Sequence, residues 1–506
     1  MCGYFISNDP SVNDTHADLI ENTLRFRGPD SSSGLVYRNG WAMYHSRLAI
    51  IDVVGKHANQ PFIDNTGGSL IFNGEILNYK ELARKYFGEE LKSDTEVLSR
   101  LIVANVLDLN ELDGFFSFCY VDASGKLKYC ARDKFGVKPL FYYKRGDYIS
   151  VSSEPSTLKK IFNLNVNGQA KEEYLVLRAP IFSGSFFEGI ETLAPGGCLV
   201  QGAYFNVERH LQGDYEDVSS EELEEAVNLG ISSRLVSDVK VGLLLSRGID
   251  SNLIRSMHNF DSFYSIGFEG DEDLKYLKTL NLDNLTLHYS NPSEYRNHFD
   301  RLLTLRDEPL SVPNEVLLSK IGNVVANDKI KVLLSGEGAD EFFAGYDRVF
   351  QWARRTTIFN LDEFLNLYCY SAVDKGSELY GKFYEIFRSV ELPSTFEYVR
   401  WFFIKYHMPV LFRRLDFSLM SAGIEGREPL ANMHLFNVAK KMGPDQLMGN
   451  VLGKIPLRKL CVPKYGEHFA YEKKVGFPVN LKEIYNDKSE LTSYDIWFKK
   501  NCEVLK

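Results

Sequence analysis

The stretch VGLLLSRGIDSN, Val241–Asn252, opens as an apolar strand, breaks at Ser246 into a small polar turn, and runs into LIRSMH, which opens a helix. A strand ending in a Ser/Gly turn ahead of a helix N-terminus gathers unpaired backbone N–H groups at one point, a cradle suited to an anion. Ordinary strand-to-helix turns use the same residues without any ligand. The bulky Arg247 in the middle of this one therefore needs an explanation.

Around this turn the chain has two textures. From about residue 220 onward, strand-like runs (KVGLLLS, FYSIGFEG, NLTLHYS, KIKVLLSG) alternate with helical ones, the pattern of a parallel sheet covered by helices. SSEELEEAVNLGISSRLVSD begins that half with serines and acids suited to a helix start, and residues 350–445 read as mostly helical. Residues 1–200 instead carry short β-type runs (MCGYFIS, WAMYHSRLAIIDV, GSLIFNGEI, GFFSFCYVD, LKYCARD, YISVSSE) with few helical stretches, such as ADLIENTLRF and DTEVLSRLIVANV. That is an α+β pattern with antiparallel sheets. The polar run 205–220 is the linker candidate.

At 506 residues the chain exceeds one ordinary core, so its length alone predicts two domains or three. A net charge of −10 without a dense basic run argues against nucleic acid and anionic membrane as partners. The seven cysteines, at 2, 119, 130, 198, 369, 461 and 502, form no C-x-x-C pair and point to a reducing compartment. With no stretch long and apolar enough for a membrane span and no secretory pattern at the start, a cytoplasmic protein is expected.

Cys2 follows the initiator Met, and Gly3 follows it. Removal of Met1 would leave a thiol nucleophile beside its own α-amino group, whose reference pKa of about 7.7–8.0 suits a base. The segments RFRGPD (25–30), HSRLAIID (45–52), NGEILN (73–78), SDTEV (93–97) and RDKFGVKPLFYY (132–143) follow in order. Together with Cys2 they resemble the glutaminase domain of class II glutamine amidotransferases. The resemblance implies that Cys2 attacks the glutamine side-chain carbonyl, and that the Asn73 amide and Gly74 N–H form the oxyanion hole. It further implies that Arg47 holds the glutamine α-carboxylate, while Glu75 and Asp94 hold its α-ammonium.

The turn itself resembles the S-G-G-x-D-S pyrophosphate loop of ATP pyrophosphatases, with Arg247 at the first glycine. LLSGEGADEFFAGY (333–346), DEPLSVP (307–313), GIEGREPL (423–430) and YEKKVGF (471–477) follow in the order of the asparagine synthetase family. That likeness implies an N-terminal four-layer α/β/β/α sandwich of the Ntn-hydrolase type over 2–205. It also implies an α/β parallel-sheet ATP-pyrophosphatase domain with helical additions over 220–506. Ser246, Arg247, Gly248 and Ser251 would cradle pyrophosphate; Leu244, Ile266, Ser335 and Gly336 would line the adenosine pocket. Asp250 and Asp340 would hold Mg2+, and Lys474, with Lys473 one residue away, would be the catalytic lysine. Glu337, where β-lactam-forming relatives carry Tyr, favours amidation by ammonia over ring closure.

The expected substrates are glutamine, ATP and a small carboxylate, with aspartate leading and a sugar uronic acid or antibiotic precursor competing. Ammonia would cross between the centres through an apolar passage. Other readings stay open: a nucleotide-binding regulator without catalysis, or a glutaminase serving sugar amination or phosphoribosyl transfer. A homodimer is also left open. Departures from the family pattern are Arg247, the run Pro429-Leu430-Ala431-Asn432 in place of P-F-L-D, and Glu472 where arginine is common.

Overall fold

The computed structural model describes residues 2–473 and 479–506. Among these, the N-terminal half builds two antiparallel sheets, and the C-terminal half builds a single parallel sheet. Strands β1 (Cys2–Ser7) and β2 (Trp41–Arg47) lie in the first sheet; β3 (Ser69–Ile76), β4 (Gly114–Val121) and β5 (Leu127–Arg132) lie in the second.

Because side chains alternate along a strand, each sheet has two apolar faces to cover. Tyr4 and Ile6 of β1 and Met43 of β2 pack against Ile71 of β3, Cys119 and Val121 of β4 and Cys130 of β5, forming the layer between the sheets. Phe5 and Tyr44 point the other way, onto Ile20, Leu24, Leu158 and Tyr174. On the far side, Leu70 and Phe72 share a cluster with Val97, Leu98 and Leu101 of helix α1 (Asp94–Val103). The result is the expected four-layer α/β/β/α sandwich.

The second half begins with a helix, Ser220–Arg234, N-capped by the Ser219 side chain. Strands β6 (Val241–Leu244), β7 (Ser262–Phe268), β8 (Leu285–Ser290), β9 (Val332–Leu334) and β10 (Glu425–Arg427) form a parallel sheet in the order β8-β7-β6-β9-β10. The first four were legible as apolar runs; β10 was not. Helix α2 (Ile249–Met257) follows β6 directly, as the opening stretch requires. Helices α3 (Met408–Met420) and α4 (Ile455–Ala470) complete the elements that carry site residues.

The halves share buried charge. Arg27 is fully buried and ion-pairs with Glu154 at 2.6 Å and with Asp416 of α3 at 2.8 Å. Lys138 lies 3.4 Å from Asp416, and Arg413 of α3 reaches back to Glu154.

Two candidate centres on two kinds of sheet

Strand parity explains the first centre. Cys2 lies on the same face of β1 as Tyr4 and Ile6, and Arg47 is its direct partner in β2. Asn73 and Glu75 lie on the same face of β3 as Ile71, so all four side chains converge at one end of the inter-sheet layer. The Asn73 Oδ1 accepts the Cys2 backbone N–H at 2.9 Å. That contact orients the amide, and its buried Nδ2 has no partner among the described residues. A buried, unpaired donor beside a thiol is what an oxyanion would satisfy.

Gly74 adopts φ +135°, and a Cβ there would sit 2.0 Å from the Phe115 carbonyl oxygen. Only glycine fits. Burial pushes the Cys2 thiol above its usual range, so it stays protonated until a base takes the proton. The Arg47 guanidinium is pinned by the Asn59 Oδ1 at 2.9 Å and by the carbonyls of Ile51 and Asp52 at 3.0 and 2.8 Å.

Asp94 is the first residue of α1, whose N-cap Ser93 accepts the N–H groups of Thr95 and Glu96. Its carboxylate accepts the Ile76 N–H at 3.0 Å and its neighbour Thr95's at 2.8 Å. Burial nevertheless lifts Asp94 to about 6. Glu75 is pushed well above the usual carboxylate range, by burial first and then by Asp94 and Glu425. Two buried acids side by side are a natural seat for an ammonium group.

The second centre forms where β6 and β9 end. Their parallel pairing, Leu243 opposite Leu334, sets the two following turns against each other. A Cβ on Gly336 would come within 2.8 Å of the Asp250 Cβ. The first turn is stapled from within: the Ser251 Oγ accepts the Ser246 N–H, and the Ser246 Oγ accepts the Gly248 N–H, both at 3.1 Å. Asn252 closes it from below, donating to the carbonyls of Ser246 and Gly248 at 2.9 Å.

Asp250 and Asp340 are brought together, as expected, but through a residue the sequence reading missed. The Lys454 Nζ lies 2.9 Å from Asp250 and 2.7 Å from Asp340. Burial disfavours this ammonium, yet the two carboxylates outweigh it and raise its affinity for its proton. Lys454 holds φ +56° immediately before α4, and Gly345 is confined by both Asp340 and the Lys454 Cε. The available signal was a lysine two residues before Pro456 in GKIPLRKL, a proline at a helix start; nothing local marked it as a ligand.

A cavity of about 930 Å3 opens here, lined by Arg247, Gly248, Asp250, Asp340, Lys454 and Glu472 among others. That is nucleotide-sized. Leu244, Ile266, Ser335 and Gly336 do not line this cavity; Leu244 and Ile266 pack at the edge of the core cluster built on Tyr264 and Leu333. Glu337 ion-pairs with Arg414 of α3 at 2.9 Å. Lys474 lies outside the described residues.

Between the centres the wall is charged. Glu425 and Arg427, fully buried on β10, pair with each other, and Glu425 raises Glu75. One residue on, burial lifts Glu428 to about 8, and its Oε2 is buried without a partner among the described residues.

Comparison with known proteins agrees with this division of the chain. Residues 1–210 match the family described as glutamine amidotransferase domain, and residues 220–495 match asparagine synthase. A putative glutamine-hydrolyzing asparagine synthetase of Methanocaldococcus jannaschii is 33% identical over 402 residues, 69% of this chain and 70% of that protein. Asparagine synthetase 1 of Bacillus subtilis is 31% identical over 69% of this chain, and the match spans only 59% of that protein's length. Among solved structures, the glutamine phosphoribosylpyrophosphate amidotransferase of B. subtilis aligns over 66% of this chain and 82% of its own, at 14% identity and a TM-score of 0.29.

Proposed function

Because the chain belongs to the asparagine synthase family, with a glutamine amidotransferase domain ahead of it, we propose that it is an ATP-dependent, glutamine-using amide ligase. The observation that carries this reading is twofold: in one half the Cys2 N–H binds the Asn73 Oδ1 and leaves the buried Nδ2 beside the thiol without a partner among the described residues, and in the other Asp250 and Asp340 meet at Lys454 on a nucleotide-sized cavity. The work is divided between 2–205 and 220–506.

In the first half the Cys2 thiolate attacks the glutamine side-chain amide carbon, and the Asn73 amide and Gly74 N–H hold the oxyanion. Each such donor contributes about 2.7–4 kcal/mol in comparable chemistry. Ammonia leaves, and water releases glutamate from the thioester. Arg47 holds the glutamine carboxylate; Glu75 and Asp94 hold its ammonium.

In the second half an acceptor carboxylate attacks the α-phosphorus of ATP, pyrophosphate departs, and ammonia displaces AMP from the acyl-adenylate. Arg247 and Gly248 line the cavity at the pyrophosphate end, on a turn that Ser246 and Ser251 staple. The family resemblance alone would give the adenosine to Leu244, Ile266, Ser335 and Gly336, which lie off the lining of this cavity. Lys474 and Lys454 neutralise charge as it moves. The hard oxygen donors of Asp250, whose buried Oδ1 has no hydrogen-bond partner among the described residues, and Asp340 suit Mg2+. Bound there, the ion would neutralise the departing pyrophosphate. The resemblance gives Glu337, which Arg414 holds at 2.9 Å, a role in amidation by ammonia, and aspartate is the first acceptor to test. A cytoplasmic setting fits these substrates, and among the described residues no helix is long and apolar enough to cross a membrane.

The test supplies ATP, Mg2+, aspartate and either ammonia or glutamine, and measures AMP, pyrophosphate and amide. Cys2→Ala should abolish glutamine use and spare ammonia use. Equal loss of both, or mass spectrometry showing Met1 retained on an active protein, contradicts the division of labour. Absence of AMP with aspartate but its appearance with another carboxylate would reassign the acceptor.

A further inference from the structure

Two of the departures from the family pattern, Arg247 in the loop and Glu472 ahead of the lysine segment, touch each other. Arg247 donates from Nε to the Glu472 Oε2 at 3.1 Å and from Nη2 to Oε1. Both side chains line the nucleotide-sized cavity. They are 34% and 33% exposed. A pair so open to water adds little to stability, so folding alone does not account for a bulky cation in a turn built for small residues.

The geometry suggests what does. A guanidinium has five N–H donors in a rigid plane. Glu472 takes the Nε–Nη2 edge, and among the described residues Nη1 makes no hydrogen bond. The Tyr276 ring lies 5.5 Å from the guanidinium carbon. The Arg247 backbone N–H, at the mouth of α2, meets the Asp273 carboxylate at 3.4 Å, so anionic oxygens already approach this residue from two sides.

We propose that Glu472 is a positioning residue for Arg247, holding one edge of the guanidinium so that the opposite edge meets the phosphate chain of a nucleotide in the cavity. The proposal rests on the ATP site described above and deepens it. Glu472 also brings a negative charge near the phosphates, but water and salt screen that charge at this exposure. Fixing a long, many-rotamer arginine in advance removes an ordering cost that binding would otherwise bear.

The whole protein is titrated by calorimetry with Mg-ATP, Mg-pyrophosphate and adenosine, as the natural chain, Arg247→Gln, Glu472→Gln and the double variant. Each single change should weaken ATP and pyrophosphate by roughly three- to tenfold, the scale of one hydrogen bond whose charge water partly screens. Adenosine, lacking phosphate, should bind all four alike. The double variant should be no weaker than Arg247→Gln, the signature of two residues acting as one. Additive losses, tighter pyrophosphate binding by Glu472→Gln, or an equal loss for adenosine would each overturn the proposal. A natural chain that does not bind Mg-ATP overturns this proposal together with the site beneath it; additive singles on a chain that does bind overturn the positioning alone.

Discussion

Lys454 shows how much one residue can decide. Its ammonium stands between two carboxylates, of which Asp250 is 12% exposed and Asp340 39% exposed. Replacing it with Met leaves both acids facing each other. Breaking a buried pair from one side costs about 3–5 kcal/mol, and the openness of Asp340 to water places this case at the lower end. A divalent cation can take the place of the lost charge. Lys454→Met should therefore lower the melting temperature, and millimolar Mg2+ should restore more of it than it adds to the natural protein. An equal Mg2+ effect on both would mean that the two aspartates do not share a cation seat. ATP turnover should fail in the variant either way, because Lys454 lines the cavity.

At the scale of elements, the start of α1 couples folding to binding. Ser93 caps the helix by accepting the Thr95 and Glu96 N–H groups at 3.1 and 3.4 Å, and this fixes the backbone of Asp94 next to β3. Ser93→Ala should cost about 1 kcal/mol of stability. It should also raise the KM for glutamine severalfold while leaving ammonia-dependent turnover unchanged, which steady-state kinetics with each nitrogen source will read. An unchanged glutamine KM would remove Asp94 from the ammonium seat.

DTEVLSRLIVANV was legible in advance as a helical stretch because apolar periodicity is local, whereas the Ser93 cap at its start was seen only in the structure. The strands β1 to β9 were legible for a similar reason, since each carries an apolar run of its own. The three-residue β10 was not. Its sequence, EGR, has no apolar run and is a strand only because distant chain pairs with it: Glu425 donates its N–H to the Lys331 carbonyl, and the Arg427 carbonyl accepts from Ser335. Its charges tolerate full burial because they satisfy each other and because Arg427 also reaches the carbonyls of Arg234 and Val236. Lys454 was invisible for the same reason, its partners lying 204 residues upstream at Asp250 and more than a hundred upstream at Asp340. Contacts decided by tertiary pairing leave no periodic trace in the chain.

At the scale of the whole molecule, Arg27 is the joint. Its Nε donates to the Cys2 carbonyl at 3.1 Å, Nη1 to Glu154 at 2.6 Å, and Nη2 lies 2.8 Å from Asp416 of α3. One buried guanidinium thus touches the strand that carries the thiol and the helix that carries Arg414, the partner of Glu337. Arg27→Met would keep the volume but release all three contacts. Asp416 would retain Lys138 and Glu154 would retain Arg413, so the destabilisation should fall below the roughly 3–5 kcal/mol of a fully orphaned buried pair. The sharper readout is coupling. If Arg27 aligns the two centres, the variant will still split glutamine and still use ammonia, but glutamate formed per AMP released will rise above the natural protein's ratio as ammonia escapes. A variant that is merely less stable, with that ratio unchanged, would make Arg27 a structural tie and leave the alignment of the centres to the β10 wall.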